Sequence, residues 1–153
     1  MTIRKRIAYA DPRPRHVAIV GSRHITDYRR FALTIRPQLN PSDVIVSGGA
    51  DGIDTLAARY ARQNGHTLVE HPVDLQAVRR REAEGMDRIA AFAAEANLRN
   101  QLIVDQSDRM IAIACDHSKG TYDSLRRMRR KVDPRMGGNL LWVVEYLWDC
   151  PRA

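Results

Sequence analysis

The sequence predicts an α/β fold in a single three-layer domain, with a mainly parallel five-stranded sheet covered by helices on both faces. Three observations lead there. The chain has 153 residues, the size of one ordinary domain. Short, continuous apolar runs rich in β-branched residues recur along it, as expected of strands buried on both sides. Between them lie segments whose apolar residues recur every three or four positions, the period of helices packed on a sheet.

Residues 1–14 read as a basic N-terminal arm closed by Pro12 and Pro14. His16 to Val20 is the first strand, ending at Gly21. Tyr28, Phe31, Ala32, Ile35 and Leu39 give helical spacing over 28–39, with Pro41 as the stop. Asp43 to Val46 is the second strand. Ile53, Leu56, Ala57, Tyr60 and Ala61 form an apolar stripe on the next helix, which Gly65 ends. Thr67 to Glu70 is the third strand. The Ala-rich, charged stretch 72–94 is expected to hold one or two helices over a sheet edge. Asn97 reads as the cap of a helix running to about Gln106, with Leu98, Leu102 and Ile103 facing inward. Arg109 to Ala114 is the fourth strand, Thr121 to Arg130 a helix, and Asn139 to Val144 the fifth strand. Domain organisation follows: the arm, a domain over 15–131, and a final strand and tail of that domain over 132–153.

Composition narrows the function classes. Hydrophobic residues make up 44% and charged residues 28%, which describes a globular chain rather than a disordered one. No apolar run reaches the length of a membrane span, and no apolar segment of a secretory signal follows the basic start. Cys115 and Cys150 are too few for a disulfide framework or a four-cysteine zinc site, so a cytoplasmic location is expected. His16, His24, His66 and His71 lack metal-ligand spacing, and no metal or cofactor is expected. Cys115 reads as a small buried residue, and Trp142, Tyr146 and Trp148 as core or a subunit contact. The net charge of +7 is uneven. Residues 1–15 carry five basic residues against Asp11, and residues 126–135 carry six against Asp133. Clusters of this kind favour nucleotides, nucleic acid or acidic surfaces, and serve equally as solubilising surface.

In an open parallel sheet, ligands bind beyond the carboxyl ends of the strands. Three loops meet there: Gly21-Ser22-Arg23, Ser47 to Asp54, and Cys115 to Thr121. Gly48 and Gly49 allow close backbone approach, and Gly52 opens a helix whose free amides favour an anion. Ser47 adds a hydroxyl, while Asp51 and Asp54 suit helix capping or ribose hydroxyls. A tight turn that binds nothing is the alternative. Neither the spaced dinucleotide fingerprint nor a Walker loop is present, so conventional NAD or ATP use is not supported. Arg23 can reach a phosphate, and Lys119, Gly120 and Thr121 open a second anion-friendly helix. Arg99 and Asn100 are placed in the first turn of their helix, where an arginine is electrostatically unfavourable and so points to an anion. His117 beside Asp116 has no evident catalytic partner.

The blocks Val17 to Arg23, Val46 to Asp54, Leu98 to Gln101 and Lys119-Gly120-Thr121 resemble, in order over residues 16–131, the SLOG superfamily. This Rossmann-like group includes DprA and the LOG nucleotide hydrolases, and the nearest branch is the small YspA/YpsA-related one labelled DUF2493. The resemblance implies a Rossmann-like fold binding a nucleotide-derived ligand, as a sensor or a weak processing enzyme. It carries over Gly21, Ser22, Arg23, Ser47, Gly48, Gly49, Asp51, Gly52, Asp54, Arg99, Asn100, Gly120 and Thr121 as pocket residues. LOG hydrolases place a catalytic glutamate three residues after the threonine. This chain has Ser124 there, so no catalytic residue is assigned. A DprA-like single-stranded nucleic-acid module, using the basic arm and Arg126 to Lys131, is the alternative. A homo-oligomer is expected.

Overall fold

The computed structural model describes residues 13–115, 118–131 and 143–150. Five strands form one entirely parallel sheet in the order β3-β2-β1-β4-β5. They are β1 His16–Gly21, β2 Val44–Ser47, β3 Leu68–Glu70, β4 Arg109–Ala114 and β5 Val143–Leu147. The helices are α1 Tyr28–Ile35, α2 Ile53–Asn64, α3 Leu75–Ala83, α4 Arg88–Gln106 and α5 Lys119–Lys131. The chain builds outward from β1 to β3, then returns past β1 to β4 and β5. The order therefore reverses between β1 and β4, and the loops leaving those two strands part there to opposite faces of the sheet.

Each sheet face has its own core. Ile19, Ile45, Ile111 and Ile113 pack against Phe31 and Ile35 of α1 and Leu56 and Ala57 of α2. Ala18, Val20, Val46, Met110 and Ala112 pack against Ile103 and Val104 of α4 and Leu125 and Met128 of α5. Alternate residues of one strand thus serve opposite layers, which is why β1 reads as a continuous apolar run. Phe31 is fully buried, and truncating it to alanine would cost about 3–5 kcal/mol.

Several sequence expectations need correction. The helix expected to reach Leu39 stops at Ile35 and continues as a 3-10 turn over Arg36–Gln38. The cause is Pro37, which lacks the N–H that an α-helix requires. The helix expected from Asn97 begins nine residues earlier at Arg88. Asp87 caps it, accepting the amides of Ile89 and Ala90 at 3.0 and 3.3 Å. Leu98 and Leu102, expected inward, are 54% and 50% exposed, whereas Ile103 is buried as expected. The fifth strand is Val143–Leu147, a few residues later than expected, and 139–142 lie outside the described residues. Cys115 is buried as expected but is bridged to Cys150, a link the cysteine count did not suggest. Of the aromatic residues of the tail, Trp148 is buried under the Arg30 guanidinium. Among the described residues, no helix is long and apolar enough to cross a membrane.

Candidate functional site

A concave cleft of about 250 Å³ opens where the strand order reverses, at the carboxyl edge of the sheet. Four segments line it. The end of β1 and the turn after it give Gly21, Ser22, Arg23 and His24, the loop after β2 gives Ala50, and the start of α2 gives Asp54. The middle of α4 contributes Arg99, Asn100 and Ile103, and the start of α5 contributes Ser118 to Thr121 with Ser124.

Local geometry explains each contribution. Gly21 is required because a Cβ would collide with the Ile113 carbonyl and with the Ile53 side chain. The Ser22 amide donates to the Ile113 carbonyl at 3.0 Å, holding this turn against β4. Its hydroxyl accepts the His24 amide at 3.1 Å and lies 3.1 Å from Cys115 Sγ. The disulfide thus sits directly beneath the cleft wall. Ser118 accepts the Cys115 amide at 3.0 Å, so its hydroxyl closes the turn that precedes α5.

Asp54 is the buried acid of the cleft, 7% exposed. Its Oδ2 accepts the Ala50 amide at 3.1 Å. Burial raises its carboxyl to about 6, opposed by the Ala50 amide and by the positive charge of Arg99. Arg99 donates to the Gly48 carbonyl at 2.7 Å and, through Nε, to Asn100 Oδ1 at 3.0 Å. Its affinity for its proton is lowered by burial and by the like charge of Arg23, against the pull of Asp54. Asn100 in turn donates to Asp123 at 3.1 Å. Burial pushes the Asp123 carboxyl up, but hydrogen bonds from Arg127 and Asn100 outweigh it and hold the group below the usual carboxylate range.

Of the expected pocket residues, Gly21, Ser22, Arg23, Asp54, Arg99, Asn100, Lys119, Gly120 and Thr121 come together on the cleft. Ser47, Gly48, Gly49, Asp51 and Gly52 do not line it. Ser47 is fully buried, with a hydroxyl that has no partner among the described residues. Gly48 makes room for protein rather than ligand, since a Cβ there would stand 2.6 Å from Arg99 Nη1 and 2.9 Å from Asp54 Oδ2. Gly52, at φ +73°, lies against the Ser22 and Arg23 backbone, and the Ile53 amide donates to the Ser22 carbonyl at 3.1 Å. The first amide of α2 is therefore already satisfied and not offered to an anion. A Cβ on Gly49 would meet only Pro72, at 3.7 Å. The placement of Arg99 in a first helical turn is also corrected, because it lies mid-helix, eleven residues beyond Arg88. Its case now rests on its position in the cleft.

Sequence reasoning missed His24, Ala50, Ser118 and Ser124 as lining residues. The Ser124 signal was available: three positions after Thr121, it shares that residue's helix face. Asp116 and His117 lie outside the described residues, as do residues 1–12 of the basic arm and Trp142. The second basic run is largely paired. Arg126 and Arg127 lie 3.7 and 2.8 Å from Asp123, and Arg129 lies 2.6 Å from Glu145. Lys131 donates to the carbonyls of Val104, Asp105 and Ser107 at 2.8, 3.2 and 2.7 Å, closing the C-terminal end of α4.

Residues 15–77 match the family model described as YAcAr: YspA, cpYpsA-related SLOG family. Among solved structures, DNA processing protein A (DprA) from Streptococcus pneumoniae is similar at a TM-score of 0.59 and 22% identity, over 92% of this chain and 51% of that one. DNA processing protein A from Helicobacter pylori, described for its single-stranded DNA binding mode, is similar at a TM-score of 0.49 and 19% identity, over 92% and 66%. The chain spans about half the length of the Streptococcus protein, and the likeness is one of fold. No curated protein matches the sequence.

Proposed function

Taking the SLOG-type segment of residues 15–77 as the premise, we propose that the cleft binds a nucleotide-derived ligand carrying phosphate, as a sensor or a slow processing enzyme. The observation that carries this reading is that Arg23, Arg99 and Lys119, from three separate segments, line one concave cleft. Asp54 faces the charge of Arg99, while Arg23 and Lys119 add positive charge that an anion in the cleft can share. A phosphate accepts from guanidinium groups in paired hydrogen bonds. The first turn of α5, with Lys119, Gly120 and Thr121, adds amides and a helix dipole on the same cleft. Asp54 and Asn100 supply the carboxyl and amide that ribose hydroxyls bond. The volume lies below the roughly 300–1,000 Å³ of sites that enclose drug-sized ligands. A ribosyl phosphate is therefore the part held inside.

Glycosidic hydrolysis is expected to be slow or absent. The position after Gly-Thr that would need a carboxylate holds Ser124, and Asp123 is engaged by Arg127 and Asn100. Incubation with AMP should release little free adenine. Robust release, lost in Asp54→Asn and kept in Ser124→Ala, would overturn this and make Asp54 the catalytic carboxyl.

Native mass spectrometry of freshly purified protein is the direct test, and the expected result is a co-purifying nucleotide derivative. AMP titration should then show an affinity that falls only modestly with salt. In the second reading, single-stranded nucleic acid crosses the basic segments. It predicts no adduct, no AMP binding, and oligonucleotide binding that collapses between low and moderate salt. The pairing of Arg126, Arg127, Arg129 and Lys131 within the fold leaves α5 fewer free charges for that role than its sequence suggests.

A further inference from the structure

We propose that the Cys115–Cys150 bond is exchanged by a low-molecular-weight thiol, and that its state decides whether the Ser22 hydroxyl is offered to the cleft. The two cysteines of the chain meet just beyond β4, beside the turn that follows β1. Cys115 is fully buried, whereas Cys150 is half-buried. Two hydroxyls that line the cleft face the Cys115 sulfur, Ser22 Oγ at 3.1 Å and Ser118 Oγ at 3.7 Å. A sulfur in a disulfide carries no hydrogen, so in both contacts it can only accept. The Ser22 oxygen already accepts the His24 amide at 3.1 Å. With the bond closed, the Ser22 hydrogen is therefore spent on sulfur rather than on a ligand.

Exchange starts at Cys150, the less buried of the two residues. A small thiolate attacks Cys150 Sγ, a mixed disulfide forms there, and the bonding electron pair leaves on Cys115 Sγ. The two hydroxyls beside that sulfur stabilise it as the leaving thiolate. A second small thiolate attacks the outer sulfur of the mixed disulfide and releases Cys150. Two small thiols thus become one small disulfide, and each cysteine gains one electron and one proton. The Cys115 thiol now has a hydrogen to donate to Ser22 Oγ. That thiol and the His24 amide fill the two lone pairs of the Ser22 oxygen. The Ser22 O–H is left to donate to an anion beside Arg23 and Arg99. The tail stays in place without the bond, because the Trp148 amide donates to the Ala114 carbonyl at 2.9 Å and its ring is buried under Arg30.

The ligand half of this inference rests on the proposed function, so the test has one arm with AMP and one without. Calorimetric titration of the full chain should show AMP bound about tenfold more tightly after treatment with dithiothreitol than before, the effect of one added hydrogen bond to a charged group. Cys150→Ser should bind like the reduced wild type whether or not dithiothreitol is present. In Ser22→Ala the oxidised and reduced forms should agree within about twofold, with circular dichroism confirming the fold of each variant. Without ligand, the amide resonances of Ser22 and His24 should shift on reduction while the far-ultraviolet dichroism spectrum stays the same. A bond that dithiothreitol does not open in the folded protein, equal AMP affinity in the two wild-type states, a redox difference that survives in Ser22→Ala, or unmoved Ser22 and His24 amides would each overturn the proposal. Should AMP bind neither state, the proposed function fails, and the two amides alone decide whether Cys115 and Ser22 are coupled.

Discussion

The glycines of the loop after β2 and the paired turns after β1 and before α5 border the same edge of the sheet, yet they do different things. The β2 loop holds Gly48, Gly49 and Gly52 in five residues and looks like the ligand cradle. In the fold its glycines serve the protein itself: Gly48 admits the Arg99 guanidinium, and Gly52 admits the Ser22 carbonyl. The turns at Gly21 to His24 and Ser118 to Thr121 are less conspicuous, and they line the cleft. The lesson is that a glycine-rich loop reports close approach without saying what approaches. Here it is another part of the chain, and the site is assembled by the residues thereby positioned.

The largest expected effect lies in the β2 loop and concerns folding. Gly52→Val places a branched side chain against the Ser22 and Arg23 backbone at a φ of +73°. It should cost about 3 kcal/mol or more, a fall of roughly 10 °C in the melting temperature. A Cβ on Gly120 would meet nothing within 4 Å, so the melting curve of Gly120→Ala should stay near the wild type. If the two melt alike, the contrast between the loops is wrong.

Arg99→Ala should act on binding. It removes one of the three cations that line the cleft, Arg23, Arg99 and Lys119, and should weaken AMP binding by about 10- to 100-fold, as for a charge-assisted hydrogen bond of roughly 1.5–3 kcal/mol. Arg129→Ala should change it less than about twofold, because that side chain pairs with Glu145 at the surface. Equal effects in a calorimetric titration would remove Arg99 from the site.

A smaller effect is expected from pH. The Asp54 carboxyl is raised to about 6 by burial, so it is neutral below that pH and repels an anion above it. The folded state holds this proton more tightly than the unfolded chain, so its contribution to stability is full below about 4 and is lost as pH rises through about 6. For ligands, the ratio of Asp54→Asn to wild-type affinity for AMP should be near one at pH 5. It should rise to about tenfold at pH 8. Taking the ratio cancels the titration of the phosphate, and a flat ratio would detach Asp54 from the anion.

The smallest effect belongs to Gly49. The nearest atoms to its Cβ belong to Pro72, and neither residue lines the cleft, so Gly49→Ala should leave AMP affinity unchanged. It should cost about 1 kcal/mol for a side chain held at positive φ. A loss of binding in a folded variant would return this loop to the ligand.

Much of the fold is legible in the sequence because burial imposes a period. β1, β2, β4 and α2 fall close to where the apolar runs and stripes put them, and one stripe cannot serve two element types. Errors appear where that signal fades. The start of α4 is Ala-rich and half uncovered, so it shows no stripe, and its Asp87 cap is easily overlooked. Pro37 breaks α1 inside an otherwise clean period. Nine of the fourteen residues put forward for the pocket reach the cleft, because the carboxyl-edge rule locates loops and leaves open which side chains turn inward.

The sequence by itself determined the alternation of strands and helices, their burial on both faces, and the edge of the sheet where the loops gather. These follow from local period and chain direction, which a linear string carries. Only the tertiary structure decided that the β2 glycines are filled from within and that Cys115 meets Cys150. It alone set the distant partners of the cations, with Arg129 and Lys131 of α5 spent on Glu145 and the end of α4, while Arg23 and Arg99 face one cleft. Such pairings join residues from different elements, up to dozens of positions apart in sequence. A charge or a glycine declares its chemistry in sequence, and its partner is chosen by the packing that brings distant segments together.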